Sequence, residues 1–312
     1  MGEEKKRLPV GLENFEQIIN DNYYYVDKTG LISELIRNGG MVNLFTRPRR
    51  FGKTLNMSML EHFFSIERDQ SIYDGLEISK DTKLCEEYMG KYPVISISLK
   101  GINAAAYEDA FDFAVQIMQR TAEEFQFLSD SEYLSEHDKS VYRELLDSNM
   151  SETVFCGGLK ILSKLLEKHY RLKGFLLIDE YDVPLAKAFE NGYYEQMIFQ
   201  DYVNVFPENY WINTSSNDAV KKFIQMSDNL KTKREIETLL AGGEIIKEIH
   251  QELIYPEMYQ SLENVWSLLF MTGYLTQRGR VDAKRYKLAI PNLEIRDIFE
   301  TQIMEYYLEF LA

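Results

Sequence analysis

Cysteine, histidine and excess positive charge are all scarce in this chain. Only Cys85 and Cys156 occur among 312 residues. They show neither the spacing of a disulfide framework nor a zinc-ligand pattern, which excludes both and fits a reducing cytoplasm. The four histidines, His62, His137, His169 and His250, are scattered and read as surface or helix residues. No apolar run approaches the roughly 18 residues of a membrane span, and the amino terminus MGEEKKRL has charge without the apolar core of a signal peptide. A net charge of -15 excludes a general electrostatic grip on a polyanion, so nucleic acid is not indicated as a partner and any such contact must be local.

What is present is ample apolar material. At 45% hydrophobic and 13% aromatic content, the chain has enough to bury a core in one large domain or two modest ones. Against the acidic background the cluster Arg47, Arg49 and Arg50 stands out as an anion site. It lies in Met41 to Thr54, MVNLFTRPRRFGKT, where an apolar run reads as a strand, ends in a basic turn, and feeds Leu55, Met59, Leu60, Phe63 and Phe64 at helical spacing. Strand, glycine turn and helix come in the order a phosphate-binding loop requires. A triphosphate needs converging backbone N–H donors, a helix N-terminus, a flexible cation and a hydroxyl for magnesium. Gly52 lets the backbone approach, Lys53 can reach the outer phosphates, and Thr54 can offer its hydroxyl to the metal. The first glycine of the usual motif is replaced by Arg47, so Arg47, Pro48 and Arg49 must make the turn in another geometry. The plainer reading is an exposed basic helix start.

Before the loop, Phe15, Ile18 and Ile19 mark one short helical face and Leu31, Leu35 and Ile36 another, with Gly39 and Gly40 stopping the second helix. Between them YYYVDKT places Asp27 either as a cap at a packed corner or facing a nucleotide. Beyond the loop, the stretch Arg68 to Met89 is polar. Tyr92 to Gly101, YPVISISLKG, then alternates as a buried strand. Helical patterns follow at Tyr107 to Phe127 and Thr153 to Tyr170, separated by the acidic link Ser129 to Asp138. This is the alternation expected of α/β proteins.

The second chemical signature is GFLLIDEYDVPL, Gly174 to Leu185, a short apolar strand ending in an acidic pair. In an open α/β sheet ligands gather at the carboxyl ends of strands. Asp179 is the candidate magnesium ligand and Glu180 the candidate general base for an attacking water. An isolated DE pair after a strand is usually an ordinary loop start; paired with the upstream loop it points to a nucleotide site.

The motifs LPVG, FEQI, YYVDKT, RPRRFGKTL, YPVISISLKG and IDEYDVPL, in this order, resemble the AAA-ATPase-like family of bacterial and archaeal P-loop proteins, usually fused to a C-terminal nuclease-like domain of the PD-(D/E)xK type. The likeness runs from residue 8 to about 197 with motifs and more loosely from Phe206 on. It implies ATP as ligand, a loop built from Arg47, Pro48, Arg49, Arg50, Phe51, Gly52, Lys53 and Thr54, magnesium at Thr54 and Asp179, and Glu180 as the catalytic carboxylate. Arg47 is then a family trait. Tyr181 and Asp182 share the acidic motif, with no role assigned.

Two departures stand out. Family members continue from the acidic strand to a further strand with a polar sensor residue, whereas here the helix at Ala186 to Ile198 runs directly into FQDYVNVFPENYWINTSSNDAVKKF. That strand belongs between the loop strand and the acidic strand. Without it the two must pair directly or leave backbone groups unsatisfied, each at about 1 to 3 kcal/mol if buried. Hydrolysis is therefore expected to be poor even where nucleotide binds. The chain also stops at YYLEFLA, near where a nuclease-like domain would begin, and no nuclease residues are assigned.

In the last third, Ser216 or Asn217 caps a helix with Val220, Phe223 and Ile224, and Thr232 with Glu235 has capping-box spacing ahead of Ile236, Leu239 and Leu240. Tyr259, Leu262, Val265, Trp266, Leu269 and Phe270 form another apolar face. TGYLTQRGRVDAKRYKLAIPN reads as a β-hairpin, and Asn292 caps a final helix. The expected architecture is thus α/β: a P-loop parallel sheet lacking a central strand in residues 1–200, then a helical, winged-helix-like module with a hairpin in residues 206–312. That module reads as a linkage to an attached or partner effector, with nucleic-acid contact through Arg278, Arg280, Lys284 and Arg285 as the alternative.

Overall fold

The computed structural model describes residues 6–45, 51–66, 68–199, 218–227, 229–250, 253 and 257–311. It divides into two compact units, Met1–Asn43 with Gly52–Phe206, and Leu44–Phe51 with Pro207–Ala312.

The first unit is built around α3 (Lys53–Phe64), whose Met59, Leu60, Phe63 and Phe64 are buried. Their spacing of three and four residues puts them on one face. Onto that face pack α1 (Phe15–Asn20) and α2 (Gly30–Asn38), contributing Phe15 and Ile32 to one apolar cluster. The Phe15 N–H donates to Ser58 Oγ at 3.0 Å. The stretch read as polar between Arg68 and Met89 holds two short 3-10 turns and α4 (Thr82–Tyr88), and Tyr73 from the first turn is buried with its hydroxyl on the Met59 carbonyl at 2.7 Å.

Two strands complete the frame. β1 (Val94–Ser98) and β2 (Phe175–Asp179) pair in parallel, from Val94 opposite Phe175 to Ser98 opposite Asp179. A parallel pair requires a long crossover. Here α5 (Tyr107–Glu123), α6 (Glu136–Leu145) and α7 (Glu152–Tyr170) supply it. The acidic link expected at Ser129 to Asp138 therefore ends inside a helix: Ser135 caps α6 through a box with Asp138. Gly174 at the entry to β2 cannot carry a side chain, because a Cβ there would lie 2.4 Å from the Pro93 carbonyl oxygen, the same oxygen that accepts the Phe175 N–H at 2.9 Å. The helix expected at Ala186 to Ile198 is divided by Gly192, at φ 81°, into α8 (Val183–Asn191) and α9 (Tyr194–Phe199).

The strand expected at Met41–Phe45 is not formed. Met41 and Val42 are largely exposed, at 101% and 67%. Among the described residues β2 has a ladder partner only in β1. An apolar segment with no neighbouring strand has no ladder partner for its backbone groups, which are left to solvent.

In the second unit, α10 (Asp218–Met226), α11 (Leu230–Leu240), α12 (Leu262–Met271) and α13 (Leu293–Leu311) surround a three-stranded antiparallel sheet. Its strands are β3 (Ile245–Glu248), β4 (Thr276–Arg280) and β5 (Arg285–Ala289), in the order β3-β5-β4. The core centres on Trp266, fully buried, with Phe223 at 4.4 Å between ring centroids. The expected hairpin is β4–β5. The cap expected at Thr232 belongs instead to Asn229, whose Oδ1 accepts the Thr232 N–H at 2.8 Å; an Asn three residues earlier lets the helix begin at Leu230 with its first donors satisfied. Asn292 caps α13, accepting the Ile295 N–H at 3.0 Å. The expected helix start at Ser216 or Asn217 lies outside the described residues.

Candidate functional site

The two chemical signatures meet in the first unit. Thr54, in the first turn of α3, donates its hydroxyl to Asp179 Oδ2 at 2.8 Å, across 125 residues of sequence. Asp179 is the last residue of β2 and is half-buried. Its other oxygen, Oδ1, accepts the N–H of Glu180 at 3.1 Å. The carbonyl of Asp179 takes the Leu99 N–H at 3.0 Å, continuing the ladder past the end of β1. Strand register thus holds the carboxylate still while the helix brings the hydroxyl to it.

Gly52 is the N-cap of α3 in the left-handed conformation, φ 72°. A side chain there would meet open space but would be forced into a conformation that costs L-residues about 1 to 2 kcal/mol. Lys53 follows as the first helical residue and is half-buried. Phe51 is also described; Arg47, Pro48, Arg49 and Arg50 lie outside the described residues, so the path of the basic turn is not part of this geometry.

Glu180 leaves β2 with φ 51°, a left-handed conformation rare for a residue other than glycine, asparagine or aspartate. Its carbonyl accepts the Val183 N–H at 3.1 Å. This kink turns the chain from β2 into α8, with Pro184 in the first turn and Asp182, 1% exposed, as its N-cap. Burial pushes the Tyr181 phenol well above its ordinary range, with the Asp182 charge adding to it. Tyr181 and Asp182 thus belong to the turn between β2 and α8, a structural place that the sequence motif left unassigned.

Among the described residues no three His, Cys, Asp or Glu side chains assemble into a metal-binding group. Mg²⁺ is commonly held by one or two protein oxygens, with waters and substrate phosphates completing its shell. Thr54 and Asp179 fit that arrangement.

The YYVDKT segment has a different job. Asp27 Oδ1 accepts both the N–H and the hydroxyl of Thr29, at 2.8 and 2.7 Å, and Oδ2 accepts the Glu77 N–H at 2.7 Å. Thr29 in turn accepts the Ile78 N–H at 3.1 Å. Burial pushes the Asp27 carboxyl up, but these hydrogen bonds outweigh it and hold it below its usual range. Of the two readings of Asp27, the packed corner accounts for what its oxygens do.

Comparison with known proteins bears on this arrangement. A family model described as predicted AAA-ATPase matches residues 9–228. The chain belongs to the predicted AAA-ATPase family. It is 29% identical over 182 residues to an uncharacterized protein in the vnfD 5' region of Azotobacter chroococcum mcd 1, covering 58% of this chain and 30% of that protein. The matched part is thus less than a third of that relative's length. No solved structure matches the chain. Membership in a family of predicted ATPases supports an ATPase-like, nucleotide-binding role in general for the α/β unit. No helix among the described residues is long and apolar enough to cross a membrane.

Proposed function

We propose that this chain is a magnesium- and ATP-binding P-loop switch whose turnover is weak. The observation that carries the reading is the 2.8 Å contact between Thr54 and Asp179, which joins the residue after the Gly-Lys pair to the acidic strand. Gly52 would open the backbone to phosphate, Lys53 would neutralise it, and Thr54 and Asp179 would share the metal. Arg47, Pro48, Arg49, Arg50 and Phe51 would complete the loop. Bound magnesium supplies charge neutralisation at the phosphates. Glu180, in the turn after β2, would be the carboxylate that orients water.

Support for weak turnover comes from the sheet. The segment Met41–Phe45, which leads into the loop, forms no strand, and among the described residues β2, which ends at Asp179, pairs only with β1. Catalysis of phosphoryl transfer rests on positioning, and a base that is not braced against the loop loses much of its effect. We further propose that the second unit, with its order of helix, strand, helix and hairpin, is a winged-helix-like module that passes the nucleotide state to an effector. A nuclease-like effector domain rests on the family resemblance alone. The same resemblance underlies a bacterial setting, and the two cysteines, without disulfide or zinc spacing, underlie a cytoplasmic one.

The test is thermal melting with and without ATP and Mg²⁺, coupled to steady-state phosphate release. ATP should raise the melting temperature, Lys53→Ala should remove the rise, and phosphate release should stay near background. Full turnover abolished by Lys53→Ala would refute the switch reading in favour of an ordinary ATPase. No ATP-dependent rise in the unaltered chain would make it a non-binding remnant or interaction protein.

A further inference from the structure

The β4–β5 hairpin is basic on an acidic chain. Residues 276–287 carry Arg278, Arg280, Lys284, Arg285 and Lys287 against one acid, Asp282, and all five cations are exposed. We propose that this hairpin is a docking surface for the phosphate backbone of duplex DNA, engaged without reading base sequence.

The cations are not equally available: Arg285 pairs with Asp282 and Lys284 lies 3.9 Å from Glu248, whereas Arg278 and Lys287 are in no ion pair among the described residues. Asp282 is used to form the turn: its Oδ1 accepts the N–H groups of Lys284 and Arg285, and its Oδ2 accepts Arg285 Nε at 2.6 Å. These bonds hold the carboxylate well below its usual range, at about 2. Arg280 donates to the carbonyls of Asp282 and Ala283, so the tip is braced from both strands. A braced hairpin loses little conformational entropy when a ligand binds. Register puts Arg285 and Lys287 on one face of β5, opposite the face of Leu288, which is fully buried. Two residues of strand separate them by about 7 Å. Gly279 stands across from Lys287, and Arg278 sits in the bulge between Gln277 and Gly279. Arg278 and Lys287 are exposed and make no ion pair among the described residues.

The shape and chemistry favour a polyanion over a protein partner. Protein interfaces are anchored by buried apolar or aromatic side chains. The hairpin's aromatic residue, Tyr286, is already stacked on Phe270 at 5.7 Å. Arginine forks match phosphate oxygens, and a two-stranded ribbon fits the major groove. α12 offers no cationic face of its own, since Val265, Trp266, Leu268 and Leu269 are buried and Glu263 is its one charged residue, which leaves the contact to the hairpin. The -15 charge of the chain opposes binding, so the affinity belongs in the range of non-specific contacts, about 10⁻⁴ to 10⁻⁶ M.

The experiment is fluorescence anisotropy of the full chain with a labelled duplex of arbitrary sequence, titrated from about 50 to 200 mM salt. Binding should weaken steeply with salt. Arg278→Ala with Lys287→Ala should reduce affinity at the low-salt end by roughly tenfold or more and lower the slope of log K against log salt by roughly 1.8, two phosphate contacts. An unchanged melting temperature checks that the double variant is folded, as expected for two exposed side chains without ion pairs. No binding at low salt, or equal binding by the double variant, overturns the proposal. Equal affinity for polyglutamate also overturns it, pointing to an acidic protein surface instead.

Discussion

Thr54 and Asp179 meet through backbone constraints that neither side chain imposes. Gly52 in its left-handed conformation starts α3 where it does, and the β1–β2 register ends the acidic strand level with Ser98. Once there, the hydroxyl and carboxylate satisfy each other at 2.8 Å, the pair proposed above to hold magnesium. Asp179→Asn keeps the shape and an acceptor oxygen but loses the charge. The expected outcome is ATP binding that no longer strengthens when Mg²⁺ replaces EDTA, a loss of at least about 1.4 kcal/mol or tenfold. Titration of ATP under both conditions checks it, and a variant that retained the whole magnesium effect would remove Asp179 from the metal site.

Single segments of chain work as fittings between elements. The Asp27–Thr29 clasp ties the start of α2 to the 3-10 turn at Glu77–Lys80 through three bonds to one carboxylate and one to the Thr29 hydroxyl. Asp27→Ala should destabilise the first unit by about 1 to 2 kcal/mol, the usual worth of such a cap, read from the urea midpoint. The rise in melting temperature on adding ATP should stay the same. A variant of normal stability that lost the ATP response would return Asp27 to the nucleotide. At this scale the sequence was legible where the apolar pattern was clear: β1, β2, α5 and the hairpin lie within the stretches read from it, and α7 begins at Glu152, one residue before the expected Thr153. It was illegible where elements are short. β3 has four residues, too few for alternation to register, and α6 was hidden by the acidic composition of its first turn.

At the scale of the molecule, burial of one titratable group couples the core to pH. His62, on α3, is 4% exposed. Burial pushes its imidazole below the ordinary value and outweighs Glu16, 3.9 Å from Nε2; Arg68 opposes protonation and Asp69 favours it. The unfolded chain takes up a proton at about 6.5, whereas the folded chain resists it. Stability is therefore full above that pH and declines as pH falls through it, by at most about 1.4 kcal/mol per unit, until the folded imidazole is also protonated. Denaturant midpoints between about pH 7.5 and 5.5 should show this limb, and His62→Gln should flatten it. An unchanged limb in that variant would assign the proton uptake elsewhere.

The amino-acid sequence by itself determined the family, the α/β character and the ordered motifs, because glycine, lysine and carboxylate positions answer to local chemistry that survives in a linear reading. Only the tertiary structure decided that Thr54 and Asp179 touch, that Asp27 is a clasp, that Asp282 is spent on its own turn, and that Met41–Phe45 stays out of the sheet. Each of these depends on which backbone groups find partners far away in the chain, and pairing at a distance is not written in local spacing.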